Sequence, residues 1–229
     1  MKKMQLQKLS LAAIALFLMV SCSKDDAPAP VAKTEVTIGT QVWATKNLDV
    51  ATYSDGTVIP QVTDAAVWQN LTTGAWCYYE HSTANGKTYG KLYNWYAVAG
   101  IHDNDANTPN KLLAPSGWHV PSATEWTALT DYLGGASTAG VKMTTTTGWP
   151  SYPGITNTNS SGFSGLPGGL SNWDQTFWGI QNTGYWWSSS EDNRTISRTH
   201  AYYVQLSSGY VSTEYFGKIC GFSVRCLKD

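Results

Sequence analysis

An α+β architecture, built on a twisted antiparallel sheet with two main helices and long loops, follows from three features of the sequence. The segment Ala114–Gly135 carries a turn, an extended piece and a capped helix in succession. Short alternating runs bounded by Gly, Pro, Asn and Asp recur on both sides of it. The composition joins 14% charged residues to 13% aromatic ones, with 11 Trp, 13 Tyr and 21 Gly. That balance favours a strand- and loop-rich extracytoplasmic chain over a helical cytosolic one. A length of 229 residues suffices for one sizeable domain or two small ones.

The N-terminal residues read as an address. Lys2, Lys3 and Lys8 precede the apolar run Leu11–Val20, which as a helix spans about 15 Å, half of a roughly 30 Å bilayer core. Residues 1–21 are therefore expected to be a signal peptide, not a membrane span. Leu18-Met19-Val20-Ser21-Cys22 resembles a bacterial lipobox, which implies that Cys22 is lipidated and becomes the mature N-terminus. Ser23, Lys24, Asp25 and Asp26 resemble the export signal of Bacteroidota surface lipoproteins, a lysine followed by acidic residues. The plainer alternative is a short polar tether. Residues 22–35, with Pro28 and Pro30, form an extended spacer. Without Lys2, Lys3 and Lys8, 12 basic residues face 16 acidic ones, a net charge of −4, so the basic footprint of a nucleic-acid binder is missing.

The remaining elements follow in order. Val36–Trp43 reads as a hairpin about Gly39-Thr40, and Asp55-Gly56 centres a second turn. Ala75, Cys77 and Tyr79 share one face of a short buried strand. Leu92, Tyr96 and Ala99 fall at helical spacing, which predicts a helix over 90–100. Ser122 and Glu125 form a capping box; Trp126, Leu129 and Leu133 make one apolar stripe, and Gly134-Gly135 end the helix. Ala136–Met143 reads as a short helix. Residues 144–182 are rich in Thr, Ser, Asn, Gly and Pro, yet Trp149, Phe163, Leu166, Trp173, Phe177 and Trp178 punctuate them, so this long loop is expected to be ordered. Strands are expected at Tyr185–Ser189, His200–Leu206, Gly209–Ser212 and Phe222–Cys226, the last held in the middle of the sheet.

Six motifs, in order along the chain, carry a resemblance: Ile38–Trp43 with Asn47-Leu48, Trp76–Tyr79, Tyr89–Tyr96, Gly117–Pro121 with Glu125-Trp126, Trp187–Ser189, and Gly221–Cys226. Together they resemble the Fibrobacter succinogenes major paralogous domain over residues 36–229. Two departures stand out: Ala44-Thr45-Lys46 replaces the usual Met-Ala-Glu, and the Asp-Gly-rich strand before the first motif is missing. The resemblance implies a fold and a location more than a reaction. Trp118, Val120-Pro121, Glu125-Trp126, Trp187–Ser189 and Gly221–Arg225 are also similar, more thinly, to formylglycine-generating enzymes, which implies a C-type-lectin-like fold.

Chemistry-bearing residues are sparse. After Cys22, the cysteines are Cys77, Cys220 and Cys226. In one strand, Cys220 and Cys226 would lie about 20 Å apart, beyond the roughly 7 Å a disulfide allows, so Cys77–Cys226 is the expected pair, with three free thiols the alternative. His81, His102, His119 and His200 show no metal-ligand spacing, His119 reads as a structural hydrogen-bonder, and no nucleophile elbow is present. Asp103, Asp105 and Asn107 are a weak metal candidate, for which calcium is the fitting cation; the sixth- and twelfth-position residues of a calcium loop are missing, and an Asx-rich turn is the better reading. Trp173, Trp178 and Trp186, with Asn172, are the candidate ligand surface, because flat rings beside amides suit sugars; core packing is the competing reading. The expectation is a surface lipoprotein, anchored to the outer membrane by lipid, that binds a polysaccharide or glycoprotein without catalysis or cofactor. Its rivals are an oxidoreductase like the formylglycine-generating enzymes and a structural surface-layer component.

Overall fold

Strands β1 (Glu35–Ile38) and β2 (Gln41–Ala44) form the expected first hairpin, Ile38 pairing with Gln41 across Gly39-Thr40. Gly39 sits at φ 62°, the left-handed region such a tight turn requires. The computed structural model describes residues 34–191, 198–205 and 209–229. The second expected turn is also present: Thr52 bridges Val58 around Gly56 at φ 88°. Asp64 then caps the short helix α1 (Ala65–Trp68), which buries Trp68.

A two-stranded sheet follows, β3 (Trp76–Cys77) against β4 (Leu92–Tyr93). Between them lie a 3-10 turn at Tyr79–His81 and α2 (Thr83–Tyr89). Ala75, Cys77 and Tyr79 share one apolar cluster with Trp68 and Leu92, as their alternation predicts. The helix expected over 90–100 is corrected: its first part is β4, and only α3 (Trp95–Val98) is helical. Asn94 makes the break. Its Oδ1 accepts from the amides of Ala75 at 2.9 Å and Ala97 at 3.0 Å, which ties the strand to its neighbour and caps the helix at once.

After β5 (Trp118–His119), α4 (Ala123–Tyr132) starts at the expected capping box: Ser122 Oγ accepts from the Glu125 amide, and Glu125 accepts from the Ser122 amide. Trp126, Leu129 and Leu133 are buried, and Gly134 and Gly135 leave at φ 102° and 88°. α5 (Ala136–Met143) also forms as expected. These two are the longest helices among the described residues. Gly140 lets α5 approach the chain at Gly209, where an added Cβ would lie 1.8 Å from the Gly209 carbonyl oxygen.

The long loop is ordered, and it contains two strands that its composition hides: β6 (Gly168–Ser171) and β7 (Phe177–Ile180). Gly168-Gly169 give β6 little strand propensity, so its pairing with β7, whose Phe177, Trp178 and Ile180 favour a strand, decides it. They join β8 (Thr183–Glu191), β9 (Arg198–Gln205) and β10 (Tyr210–Gly217) in a five-stranded sheet of order β10-β9-β8-β6-β7. The expected strand His200–Leu206 thus starts two residues earlier, while Leu206 lies outside the described residues. A third sheet has the order β1-β2-β11-β5, where β11 is Leu227–Lys228. β11 is therefore the partner of the first hairpin, with Leu227 opposite Trp43.

The expected C-terminal strand is a seam instead. Gly221 and Ser171 exchange backbone hydrogen bonds, and Phe222 and Tyr93 do the same. Ser223 donates to Tyr185 O and accepts from Trp187 N; Val224 O and Cys226 O accept from Leu48 and Ala44. Each residue meets a different partner, so Gly221–Lys228 touches all three sheets. This routing also separates the sulfurs. The expected Cys77–Cys226 disulfide is not formed; Cys77, Cys220 and Cys226 are free and buried. Cys77 packs with Trp68, Ala75, Tyr79 and Leu92, whereas Cys226 belongs to the cluster of Trp187 and Phe222.

One polar node locks the seam. Arg225 is fully buried and donates to Ala44 O at 2.9 Å, Phe163 O at 2.7 Å and Asn47 Oδ1 at 2.9 and 3.2 Å. Asn47 Oδ1 also accepts from Trp186 Nε1 at 2.8 Å, and Asn47 Nδ2 donates to Tyr89 O. Around it, Trp43, Trp126, Phe163 and Trp186 pack edge to face or tilted, with centroids 4.7 to 6.5 Å apart. Asn47→Ala removes the acceptor shared by two buried donors, one of them charged. It should destabilise the domain by about 3 kcal/mol; urea unfolding monitored by tryptophan fluorescence checks this, with a loss below about 1 kcal/mol contradicting the node.

Candidate functional site

Trp173 and Trp178 lie on the β6–β7 hairpin, and both are exposed, at 56% and 66%. Their neighbours fix the backbone that carries them. Asn172 N donates to Thr176 O, Gln175 N to Asn172 O, and Asn172 Nδ2 to Thr176 Oγ1 at 3.0 Å. Asp174 Oδ1 accepts from the Thr176 hydroxyl at 2.7 Å and the Thr176 amide at 3.0 Å, which holds its carboxyl below the usual range. Gln175 sits at φ 57° and donates from Nε2 to Val62 O at 2.9 Å, which anchors the turn to the preceding loop. Phe177 turns inward onto Tyr79, centroids 5.1 Å apart, while Trp178 beside it turns out. β7 is an edge strand. Two large apolar side chains are thus exposed on a braced sheet margin.

The other members of the aromatic candidate set do not join them. Trp186 is 1% exposed, its ring packed against Trp126 and Phe163, so it is a core residue and not a ligand contact. Its indole N–H is taken by Asn47. Trp187 likewise stacks on Phe222 at 4.3 Å. Asn172 is half-buried and its amide closes the hairpin turn, which makes it a brace for the rings.

Asp103, Asp105 and Asn107 fold as successive Asx turns. Asp103 Oδ1 accepts from the Asp105 amide at 3.0 Å, and Asp105 Oδ1 accepts from both nitrogens of Asn107 at 2.9 Å. Asp103 Oδ2 meets His102 Nε2 at 3.2 Å. Among the described residues, no group of three His, Cys, Asp or Glu side chains is placed to hold a metal ion. Burial pushes the Cys77, Cys220 and Cys226 thiols up to about 12, 11 and 12, away from the thiolate state that nucleophilic or metal-binding cysteines need. Cys22, Ser23, Lys24, Asp25 and Asp26 lie outside the described residues.

His119 makes a geometry that its sequence neighbours only half suggest. Its Nδ1 lies 2.7 Å from Asp229 Oδ1 and its Nε2 3.0 Å from Glu125 Oε1, while Glu125 Oε2 accepts from the Ser122 amide and hydroxyl. The capping box is thereby extended into a Ser–Glu–His–Asp chain. It flanks a cleft of about 450 Å³ whose apolar wall includes Val98, Leu113 and Trp118. Burial lowers the imidazole pKa, but hydrogen bonds and charge from Asp229 and Glu125 outweigh this and leave it raised. Burial raises Glu125, but the bonds from Ser122 and His119 outweigh it and leave it lowered.

The motifs that carry His119 and Glu125 belong to one recognisable pattern: the model of the Fibrobacter succinogenes major domain matches residues 36–228. The chain belongs to that family. No curated protein and no solved structure matches it significantly. In this member of the Fibrobacter succinogenes major domain family, Asn47, Trp187, Phe222 and Arg225, all within the six motifs, are structural residues. Trp173 and Trp178 lie between motifs. Sequence reasoning found His119 and Glu125 but missed Asp229, which is 110 residues from His119 and shows no local signal.

The His119 cluster predicts a pH optimum of stability. A raised His pKa adds stability below the ordinary imidazole value of 6.5 and loses it as pH rises through the folded value. A lowered Glu pKa adds stability above the ordinary glutamate value of 4.5 and loses it as pH falls through the folded value. Both contributions are present between pH 4.5 and 6.5. The stability gap between the native chain and His119→Ala should therefore shrink above that window, which thermal melts from pH 4 to 9 would measure. A gap that widens in alkali contradicts the cluster's electrostatics.

Proposed function

We propose that this domain is a non-catalytic binding module that stacks sugar rings of a polysaccharide or glycoprotein on Trp173 and Trp178. The observation that carries the reading is the exposure of these two indoles on a braced edge hairpin, in a domain where Trp43, Trp68, Trp126, Trp186 and Trp187 are all buried. Burying an exposed indole against pyranose C–H groups is favourable, and the turn's hydrogen bonds limit the ordering cost on binding. The buried, high-pKa thiols weigh against chemistry like that of the formylglycine-generating enzymes.

The reading includes an architecture and a location. The fold is C-type-lectin-like, supported by the small, mainly antiparallel sheets, in which only β6 and β8 among the described strands pair in parallel, by the helices α4 and α5 and by the motifs at Gly117–Glu125 and Gly221–Arg225. A lipid on Cys22 holds the protein to the outer membrane, and Lys24-Asp25-Asp26 directs it to the cell surface; the lipobox and the short apolar run support this. No described helix is long and apolar enough to cross a membrane.

A glycan array with the domain from Thr34 onward, run with calcium and with chelator, tests the reading, and saturable binding is expected. Trp173→Ala and Trp178→Ala should each weaken that binding by about 1 kcal/mol or more without lowering the melting temperature. Binding that is indifferent to both changes, or no binding across plant, host and bacterial glycans, would return the domain to a structural coat role. Cys22→Ala should release the protein from the membrane fraction, and retention there would contradict the lipid anchor.

A further inference from the structure

The placement of unpaired cations points to a second site. Over residues 34–229, 10 basic residues face 14 acidic ones, so an acidic chain would be expected to neutralise its cations. Four lysines are indeed ion-paired: Lys91 with Asp49, Lys111 with Asp55, Lys218 with Glu191, and Lys228 with Glu35. Lys142 donates to the Leu133 carbonyl near the end of α4. The three other cationic side chains that are described, Lys46, Lys87 and Arg225, have no carboxylate partner among the described residues. All three line one cleft of about 290 Å³, between the Thr45–Asp49 segment and the last turn of α2.

The chemistry of the cleft is one-sided. Arg225 is buried, and its partners are neutral: two backbone carbonyls and the Asn47 amide oxygen, which occupy four of its five donors. A buried cation without a counter-charge is costly, and burial pulls its pKa down to about 9. Among the described residues Asp49 is the one acid on the cleft wall, and its Oδ1 is held 2.6 Å from Lys91 Nζ. Three positive charges against one already paired negative charge leave an attractive field for an anion, focused by a concave wall. Lys46 and Lys87 are exposed and free to close on a ligand, while Tyr89 and Leu166 supply apolar wall.

We propose that this cleft is an oxyanion site that takes the carboxylate or phosphate of a small acidic ligand, with Lys46 and Lys87 as the contacting cations and Arg225 as the fixed charge behind them. The site is independent of Trp173 and Trp178 and does not rest on the sugar-stacking reading.

The test is calorimetric titration of the full-length chain with glucuronate and with inorganic phosphate, with glucose as the neutral control. Saturable binding of either anion, weakened by added sodium chloride and not matched by glucose, is the expected result. Tighter glucuronate binding would assign the anion to an acidic sugar, and tighter phosphate binding to a phosphorylated ligand. The double change Lys46→Gln with Lys87→Gln should weaken binding roughly tenfold or more, and Trp178→Ala should leave it unchanged. Both lysines are exposed, so the double variant should melt at the native temperature. No binding of either anion, or binding that the double variant retains in full, overturns the proposal.

Discussion

The structure depends on a buried guanidinium. Arg225 joins the carbonyls of Ala44 and Phe163 to Asn47, and Asn47 in turn holds the Trp186 indole and the end of α2 at Tyr89. Four segments that are remote in sequence, at 44–47, 89, 163 and 186, thus meet on two side chains. Such a node is demanding, because a charge removed from water must be given directed partners or the fold is penalised. The demand explains why the backbone around it is so specific: the two carbonyls Arg225 reaches belong to β2 and to the otherwise irregular loop at 163. The same demand leaves a net positive charge at the edge of the core, and the cleft beside it is where that charge meets solvent.

The seam from Gly221 to Lys228 is the backbone counterpart of this node. Regular strands satisfy their hydrogen bonds with one or two neighbours, but this segment divides them among Ser171, Tyr93, Tyr185, Trp187, Leu48 and Ala44. Three sheets, of five, four and two strands, are joined by one strip of chain. The aromatic residues fill the spaces between them. Trp187 stacked on Phe222, and Trp43 against Trp126, supply large buried areas where Leu and Ile are scarce. Low charge and high aromatic content are in this light packing requirements, and two exposed tryptophans stand out against them.

Legibility in the sequence followed the range of the interaction. The hairpin at Gly39, the turn at Gly56, the capping box at Ser122 and the helix after Gly135 depend on contacts within a few residues, and each was readable. The pattern at 90–100 misled because its apolar residues fit a helical period, while Asn94 commits its side chain to Ala75, 19 residues away. β6 was hidden by Gly168-Gly169, which carry no pattern, and β7, Phe177–Ile180, is only four residues long in a stretch otherwise rich in loop residues. The disulfide expectation took Cys220–Cys226 as one extended strand and so turned to Cys77, but the seam put Cys226 and Cys77 in separate clusters.

By itself the sequence determined the α+β class, the family, the local caps and turns, and the two residues, Trp173 and Trp178, that carry the binding proposal. It could not distinguish those rings from Trp186, since a tryptophan among Gly and Asn reads the same whether it faces water or the core. Only the tertiary structure decided which rings were buried, that His119 lies between Glu125 and Asp229, and that Lys46, Lys87 and Arg225 share one cleft. The reason is physical: burial and electrostatic pairing are properties of through-space neighbours, and here those neighbours are commonly more than a hundred residues apart along the chain.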